Sequence, residues 1–210
     1  MKFSMKKVTV LLADGFEEIE ALTVVDLLRR AKVYVDTVSI TDDYTVRGAH
    51  GIPVQTEDLI TEIDFKESDM IVLPGGMPGT TNLKEDENVR KAVQEAYDDG
   101  RYVAAICAAP TILADMGLLK GKRATCYPDM ESEIEDAYLT GAPVATDENI
   151  ITSQGVGTAI EFCTETDRSA YQRGKSSRNC RFYCISEIIY ENLIKKRNIR
   201  KIELDIWKCL

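Results

Sequence analysis

The stretch Tyr102-Val103-Ala104-Ala105-Ile106-Cys107-Ala108-Ala109-Pro110 decides how this chain is read. It is a short apolar run entered from Asp98-Asp99-Gly100, and such a run closed by turn residues reads as a central parallel strand. Pro110 suits the first turn of a helix, where its missing N–H would have no partner anyway, so Cys107 falls in the turn between strand and helix. A sharp turn of this kind needs small neighbours, and Ala105, Ala108 and Ala109 provide them. The helix dipole and free backbone N–H groups, facing the sulfur, would favour its thiolate. Taken alone, the segment fits an inert buried cysteine equally well, since cysteine is among the most buried residue types.

Three other segments have the same form. Val8 to Ala13 is an apolar run followed by Asp14-Gly15-Phe16-Glu17-Glu18-Ile19-Glu20, a turn entering a helix with acids in its first turn, where the dipole welcomes them. An apolar stripe through Ile19, Leu22, Val25 or Asp26, and Leu28 or Arg29 spreads Glu17, Glu18 and Glu20 over different faces. Glu17 and Glu18 read as solvated acids, while Glu20 is placed to point inward if this strand lies beside the Cys107 strand. Met70-Ile71-Val72-Leu73-Pro74-Gly75-Gly76-Met77-Pro78-Gly79 is a buried strand ending in a glycine-rich turn; the N–H groups of Gly75 and Gly76, with that of Ala108, are candidate oxyanion donors beside the sulfur. Such a turn is also common as a turn and nothing more. Ile150-Ile151-Thr152-Ser153-Gln154-Gly155-Val156-Gly157-Thr158-Ala159 repeats strand, small-residue loop and helix start.

Together these four motifs resemble the ThiJ/PfpI family, in the branch of the human Parkinson-disease deglycase and its bacterial relatives, over about residues 5–162. The resemblance implies that Cys107 is a reactive nucleophile, that Glu20, last acid of the Glu-Glu-x-Glu run, hydrogen-bonds it, and that Gly75 and Gly76 supply backbone donors. Gly15, His50, Tyr127 and Gly155 are the candidate pocket residues. It further implies a cofactor-independent, metal-free enzyme on reactive aldehydes, converting methylglyoxal or glyoxal to hydroxy acids or reversing early protein glycation. The alternative is an oxidative-stress sensor or chaperone working through Cys107 oxidation. A protonated Glu20 would support the Cys107 thiolate and shuttle a proton. Many relatives place a histidine before proline where this chain reads Thr125-Cys126-Tyr127-Pro128, though some lack it and its absence does not exclude activity; what is left is a Cys107–Glu20 dyad, which argues against a triad within one subunit, so an amidotransferase-like hydrolase ranks last. His50, the one histidine of the chain, reads as a solvated loop residue. The resemblance also implies a homodimer through the first helix and the loop near His50.

With 44% hydrophobic residues, the chain can build one domain core without internal repeats. Apolar runs at 8–13, 33–40, 70–73, 102–107 and 142–146 alternate with helical patterns at 18–31, 86–98 and 110–116. That alternation predicts a flavodoxin-like three-layer α/β/α sandwich with a mainly parallel sheet and the nucleophile elbow at Cys107. No apolar stretch approaches the roughly 18 residues of a membrane helix, and Asp14 interrupts any signal-like run, so the expectation is a cytoplasmic protein with no membrane partner; a second start at Met5 is compatible with this.

Charge divides the chain. Residues 163–210 hold 11 basic and 6 acidic residues and residues 1–162 hold 15 and 29, giving net charges of +5 and −14. Four of the six cysteines, Cys163, Cys180, Cys184 and Cys209, lie in that last part. After Phe162 the stretch 164–178 shows no apolar stripe, so the long helix of similar proteins is expected to be replaced there. Residues 1–162 thus read as the family domain and 163–210 as an atypical segment, either an out-of-frame reading of the gene or a genuine extension binding the acidic body or nucleic acid, the latter not favoured. The cysteine spacing in the segment is too loose, and histidine too absent, for a zinc site.

Overall fold

Each short apolar run closed by glycine, proline or acid becomes a strand in the computed structural model, which describes residues 7–172. In chain order these are β1 (Lys7–Leu12), α1 (Glu18–Arg30), β2 (Tyr34–Ser39), β3 (Thr45–Arg47), β4 (Pro53–Gln55), β5 (Asp58–Leu59), β6 (Met70–Leu73), α2 (Gly79–Glu85), α3 (Glu87–Asp98), β7 (Tyr102–Ile106), α4 (Pro110–Asp115), β8 (Arg123–Ala124), β9 (Tyr138–Leu139), β10 (Val144–Asp147), β11 (Ile150–Ser153) and α5 (Ala159–Gln172). Seven strands form the central sheet in the order β10-β11-β7-β6-β1-β2-β5, parallel except for the edge strand β10. Two small pairs, β3-β4 and β8-β9, stand apart from it.

The side-chain alternation of the strands divides the interior between the two faces. Val8, Val10 and Leu12 of β1, Met70 and Val72 of β6, and Ala104 and Ile106 of β7 pack with Ala21, Val24 and Leu28 of α1 and Phe162 of α5. Leu11, Ile71, Leu73, Val103 and Ala105 face the other way, onto Leu83 of α2, Val89 and Val93 of α3, and Ile112 and Leu113 of α4. Both sheet faces are therefore covered, which is the three-layer sandwich expected from the runs. The order in which strands are added to the sheet reverses beside β1, which lies between β2 and β6, and the carboxyl ends of the parallel strands β1, β6, β7 and β11 open on one edge.

Two local expectations are corrected. The buried stripe of α1 runs through Ala21, Val24, Val25 and Leu28 and leaves Ile19 51% exposed; this rotation brings Glu20 into line with Val24 and Leu28, four and eight residues on. The last helix does not stop at Phe162. It continues to Gln172 because Ala159, Phe162, Cys163 and Thr166 make a buried stripe at helical spacing, and no proline or glycine interrupts it. Beyond residue 172 the remaining tail, with Cys180, Cys184 and Cys209, lies outside the described residues. Among the described residues no helix is long and apolar enough to cross a membrane.

Candidate active site

Cys107 leaves β7 with φ of +64°, a left-handed conformation costing a non-glycine residue on the order of 1–3 kcal/mol. Neighbouring backbone holds it there: the Cys107 N–H donates to the Ser153 carbonyl at 2.9 Å, and the Cys107 carbonyl accepts from Tyr127 N–H at 2.8 Å. The Thr111 hydroxyl fixes the next residue by donating to the Ala108 carbonyl at 2.8 Å. The elbow read from the sequence is present, held between the ends of β11 and the segment before Pro128. Its helix, α4, spans only Pro110–Asp115, so the electrostatic support of the sulfur comes from individual N–H groups, those of Ala108 and Gly76, rather than from a long helix dipole.

Glu20 enters from α1. One carboxyl oxygen, Oε2, accepts from the Gly75 N–H at 2.9 Å. The other, Oε1, is buried without an oxygen or nitrogen partner, and the carboxyl and the Cys107 thiol act as hydrogen-bond partners. Gly75 is thereby corrected: its N–H is committed to the carboxyl and does not serve an oxyanion. A side chain at Gly75 would meet Cys107 Cβ at 2.6 Å and Glu20 Oε2 at 2.7 Å, so the residue keeps the two groups in contact by being absent. Gly76, at φ +91°, presents its N–H to the sulfur where a Cβ would strike the Glu17 backbone nitrogen at 2.3 Å.

Burial raises both titrating groups. The Glu20 carboxyl is pushed up to about 7 by loss of water, against the opposing hydrogen bonds from Cys107 and Gly75. The Cys107 thiol is pushed up to about 12 by burial and then by the adjacent carboxylate, against the Ala108 and Gly76 donors. Two adjacent negative charges are thus disfavoured, so the pair loses its first proton at about pH 7 and above that shares the one that remains. A thiolate forms when Glu20 carries it.

The sulfur opens into a cleft of ≈ 500 Å³ lined by Glu17, Glu20, Gly76, Tyr127, Pro128 and the 154–158 loop. Tyr127 and Gly155 are where the sequence placed them; an added Cβ on Gly155 would stand 3.6 Å from Cys107 Sγ, 3.6 Å from Tyr127 and 3.7 Å from Glu20 Oε1. Gly15 and His50 do not line the cleft. Gly15 instead joins loops, its N–H bonding the Arg47 carbonyl at 2.8 Å and its carbonyl the Gly79 N–H at 3.2 Å. His50 lies outside with its Nδ1 2.8 Å from Glu18 Oε2. Glu18 is not a solvated acid: only 5% exposed, it also accepts the His50 N–H at 2.8 Å. Glu17, read as solvated, is a wall of the cleft, with its carboxylate 3.6 Å from the His50 ring; the signal missed was the rotation of α1, which turns Glu20 toward Cys107.

A strained cysteine at the carboxyl edge of a parallel sheet, paired with a buried acid, places the molecule among the cysteine-elbow α/β sandwiches. Residues 6–167 match the DJ-1/PfpI family, and the chain belongs to it. Protein DJ-1 homolog B of Arabidopsis thaliana is 40% identical over 164 residues, 77% of this chain but only 37% of the plant protein, so the chain spans little more than a third of that relative. The glutathione-independent glyoxalase DJ-1 of Schizosaccharomyces pombe is 32% identical over 169 residues, 75% of this chain and 87% of the yeast protein. Among solved structures, Drosophila melanogaster DJ-1beta superposes with a TM-score of 0.79 at 30% identity, covering 90% of this chain and 97% of that one.

Proposed function

We propose that this protein is a cysteine-dependent, cofactor-independent enzyme acting on reactive aldehydes, converting dicarbonyls such as methylglyoxal to hydroxy acids. The observation carrying this reading is the pairing of Cys107 with a buried carboxyl that holds its proton to about 7. The thiolate adds to the aldehyde carbon, and the resulting alkoxide takes the Glu20 proton to give a hemithioacetal. Before that transfer the oxyanion lies within the field of the Gly76 and Ala108 N–H groups. The Glu20 carboxylate then removes the proton from the former aldehyde carbon, the electron pair passes through an enediol, and the proton returns at the neighbouring carbon. This leaves a 2-hydroxy thioester on Cys107, which water hydrolyses to the hydroxy acid and free thiol. The glyoxalase name of the yeast relative supports the same reading.

The test is lactate formation from methylglyoxal without glutathione. Wild type should turn over, while Cys107→Ala and Glu20→Gln should each lose at least about a hundredfold, within the range general acid–base catalysis supplies. A folded wild type without turnover would leave Cys107 as a peroxide sensor; the open cleft above the sulfur supports that second reading. A homodimer is also proposed, supported by the exposed aliphatic side chains of Ile19 and Ile52, each 51% exposed on α1 and beside the His50 loop. Light scattering at micromolar concentration checks it.

A further inference from the structure

We propose that Thr158 is a positioning residue for the Cys107–Glu20 pair: its hydroxyl holds the 154–158 loop against the pair and so keeps water from the Glu20 carboxyl. This rests on Cys107 and Glu20 being the reacting groups. Gly155 is the part of the loop that covers them. A Cβ there would stand 3.6 Å from Cys107 Sγ and 3.7 Å from Glu20 Oε1, the buried carboxyl oxygen with no oxygen or nitrogen partner. Apolar packing does not fix Gly155 in place, since Val156 is 44% exposed and Gly155 and Gly157 have no side chain.

Hydrogen bonds do so instead, and they converge on Thr158. Its Oγ1 accepts the Gly155 N–H at 3.1 Å, and its backbone N–H donates to the Gly155 carbonyl at 2.8 Å. The same hydroxyl lies 2.7 Å from that of Ser153, which is fully buried and donates to the Pro143 carbonyl at 2.8 Å. With the Ser153 proton given to Pro143, the Thr158 proton goes to Ser153 Oγ or to the Gly155 carbonyl at 2.9 Å, and no donor in the chain is left unpaired. The Ser153 carbonyl in turn accepts the Cys107 N–H at 2.9 Å. Ser153 thus anchors the elbow by its carbonyl and the loop by its hydroxyl, and Thr158 links Ser153 to Gly155.

The link acts on where the proton sits. Cys107, Glu17 and Tyr127 are the titratable groups that share the cleft with Glu20, and residues 154–158 bring none. Loosening the loop therefore changes the water at Glu20 and leaves the charges around it as they were. A hydrated carboxylate is favoured over a dry one, so the Glu20 carboxyl falls from about 7 toward its ordinary 4.5. The proton that the pair retains then rests on sulfur, and the thiolate is depleted at neutral pH.

The experiment follows the Glu20 carboxyl by carbon-13 NMR in glutamate-labelled protein, its resonance assigned by its loss in Glu20→Gln. Wild type should titrate at about 7. Thr158→Val keeps the side-chain shape and deprives the Gly155 N–H of its acceptor; its Glu20 midpoint should lie lower by about 0.5 or more, and Thr158→Ser, which restores the hydroxyl, should return it to within about 0.2 of wild type. A residue that only stabilises the fold would lower the melting temperature and leave this midpoint alone, so a wild-type midpoint in folded Thr158→Val overturns the proposal. Where that variant does not fold, hydrogen exchange in wild type decides: the Gly155 N–H should exchange at least about a hundredfold more slowly than an unprotected amide, and unprotected exchange overturns the proposal. A wild-type Glu20 that titrates near 4.5 overturns the buried-acid reading and the proposal together.

Discussion

At Glu20 a carboxyl is kept from water, and the cost appears as a dependence of stability on pH. Its folded-state value of about 7 lies above the ordinary 4.5, so between those values the folded protein binds a proton that the unfolded chain has released. Stability from this group is therefore complete below about pH 4.5 and falls as pH rises through 7, on the order of 3 kcal/mol in all. Glu20→Gln retains an acceptor for the Gly75 N–H and carries no charge. Urea unfolding should find it increasingly more stable than wild type from pH 5 to 8; a difference that does not change with pH would show that Glu20 is not held protonated. The reactivity of the thiol should move the other way. In wild type, alkylation of Cys107 should rise through about pH 7 as the pair loses its first proton, and in Glu20→Gln its midpoint should move upward, because the thiol then ionises alone against burial.

The elements around the site make an acid structural one residue away from an acid that faces the sulfur's cleft. Glu18 starts α1 beneath the β3-β4 hairpin, where the 48–52 loop covers it, and it accepts hydrogen bonds from the His50 N–H and ring and, more weakly at 3.5 Å, from the Ile52 N–H. Burial pushes its carboxyl up, but the His50 ring and these backbone donors outweigh that and hold it below its ordinary value. A lowered value means that the stabilisation is present at neutral pH and is lost as pH falls through it. Glu18→Gln should destabilise by about 1–3 kcal/mol at pH 7, with the gap closing toward pH 4, as measured by thermal unfolding. A gap unchanged at pH 4 would assign the loss to shape rather than charge. These elements also explain what the sequence could disclose. The elbow was legible because an apolar run, a cysteine and Pro110 each restrict the backbone locally. The β3-β4 hairpin was not, since Thr45–Arg47 and Pro53–Gln55 are too short to show a period. The commitment of the Gly75 N–H to Glu20 joins residues 55 positions apart, and no local pattern records such a partner. Glu17 and Glu18 looked alike for the same reason: their surroundings depend on the rotation of α1, which the exposed Ile19 concealed.

Across the whole molecule, one face of the sheet depends on a helix whose sequence looks unpromising. Phe162 is fully buried and Cys163 is 3% exposed against the face that also holds Val24, Ile106 and Ile151. A chain ending at Phe162 would keep only Ala159 to Phe162 of α5, too few residues to close more than a first helical turn, so Phe162 would leave its site. Losing a buried phenylalanine contact costs roughly 3–5 kcal/mol, a large part of the about 5–15 kcal/mol that holds a domain. One compact unit runs Met1–Gly174, which includes all of α5. A chain of residues 1–174 should therefore unfold cooperatively and keep an alkylatable Cys107, while residues 1–162 should melt several degrees lower and bind a hydrophobic dye through the uncovered face. Equal melting temperatures for the two chains would mean that α5 contributes little to the fold, and that the apolar side of β7 and β11 tolerates exposure.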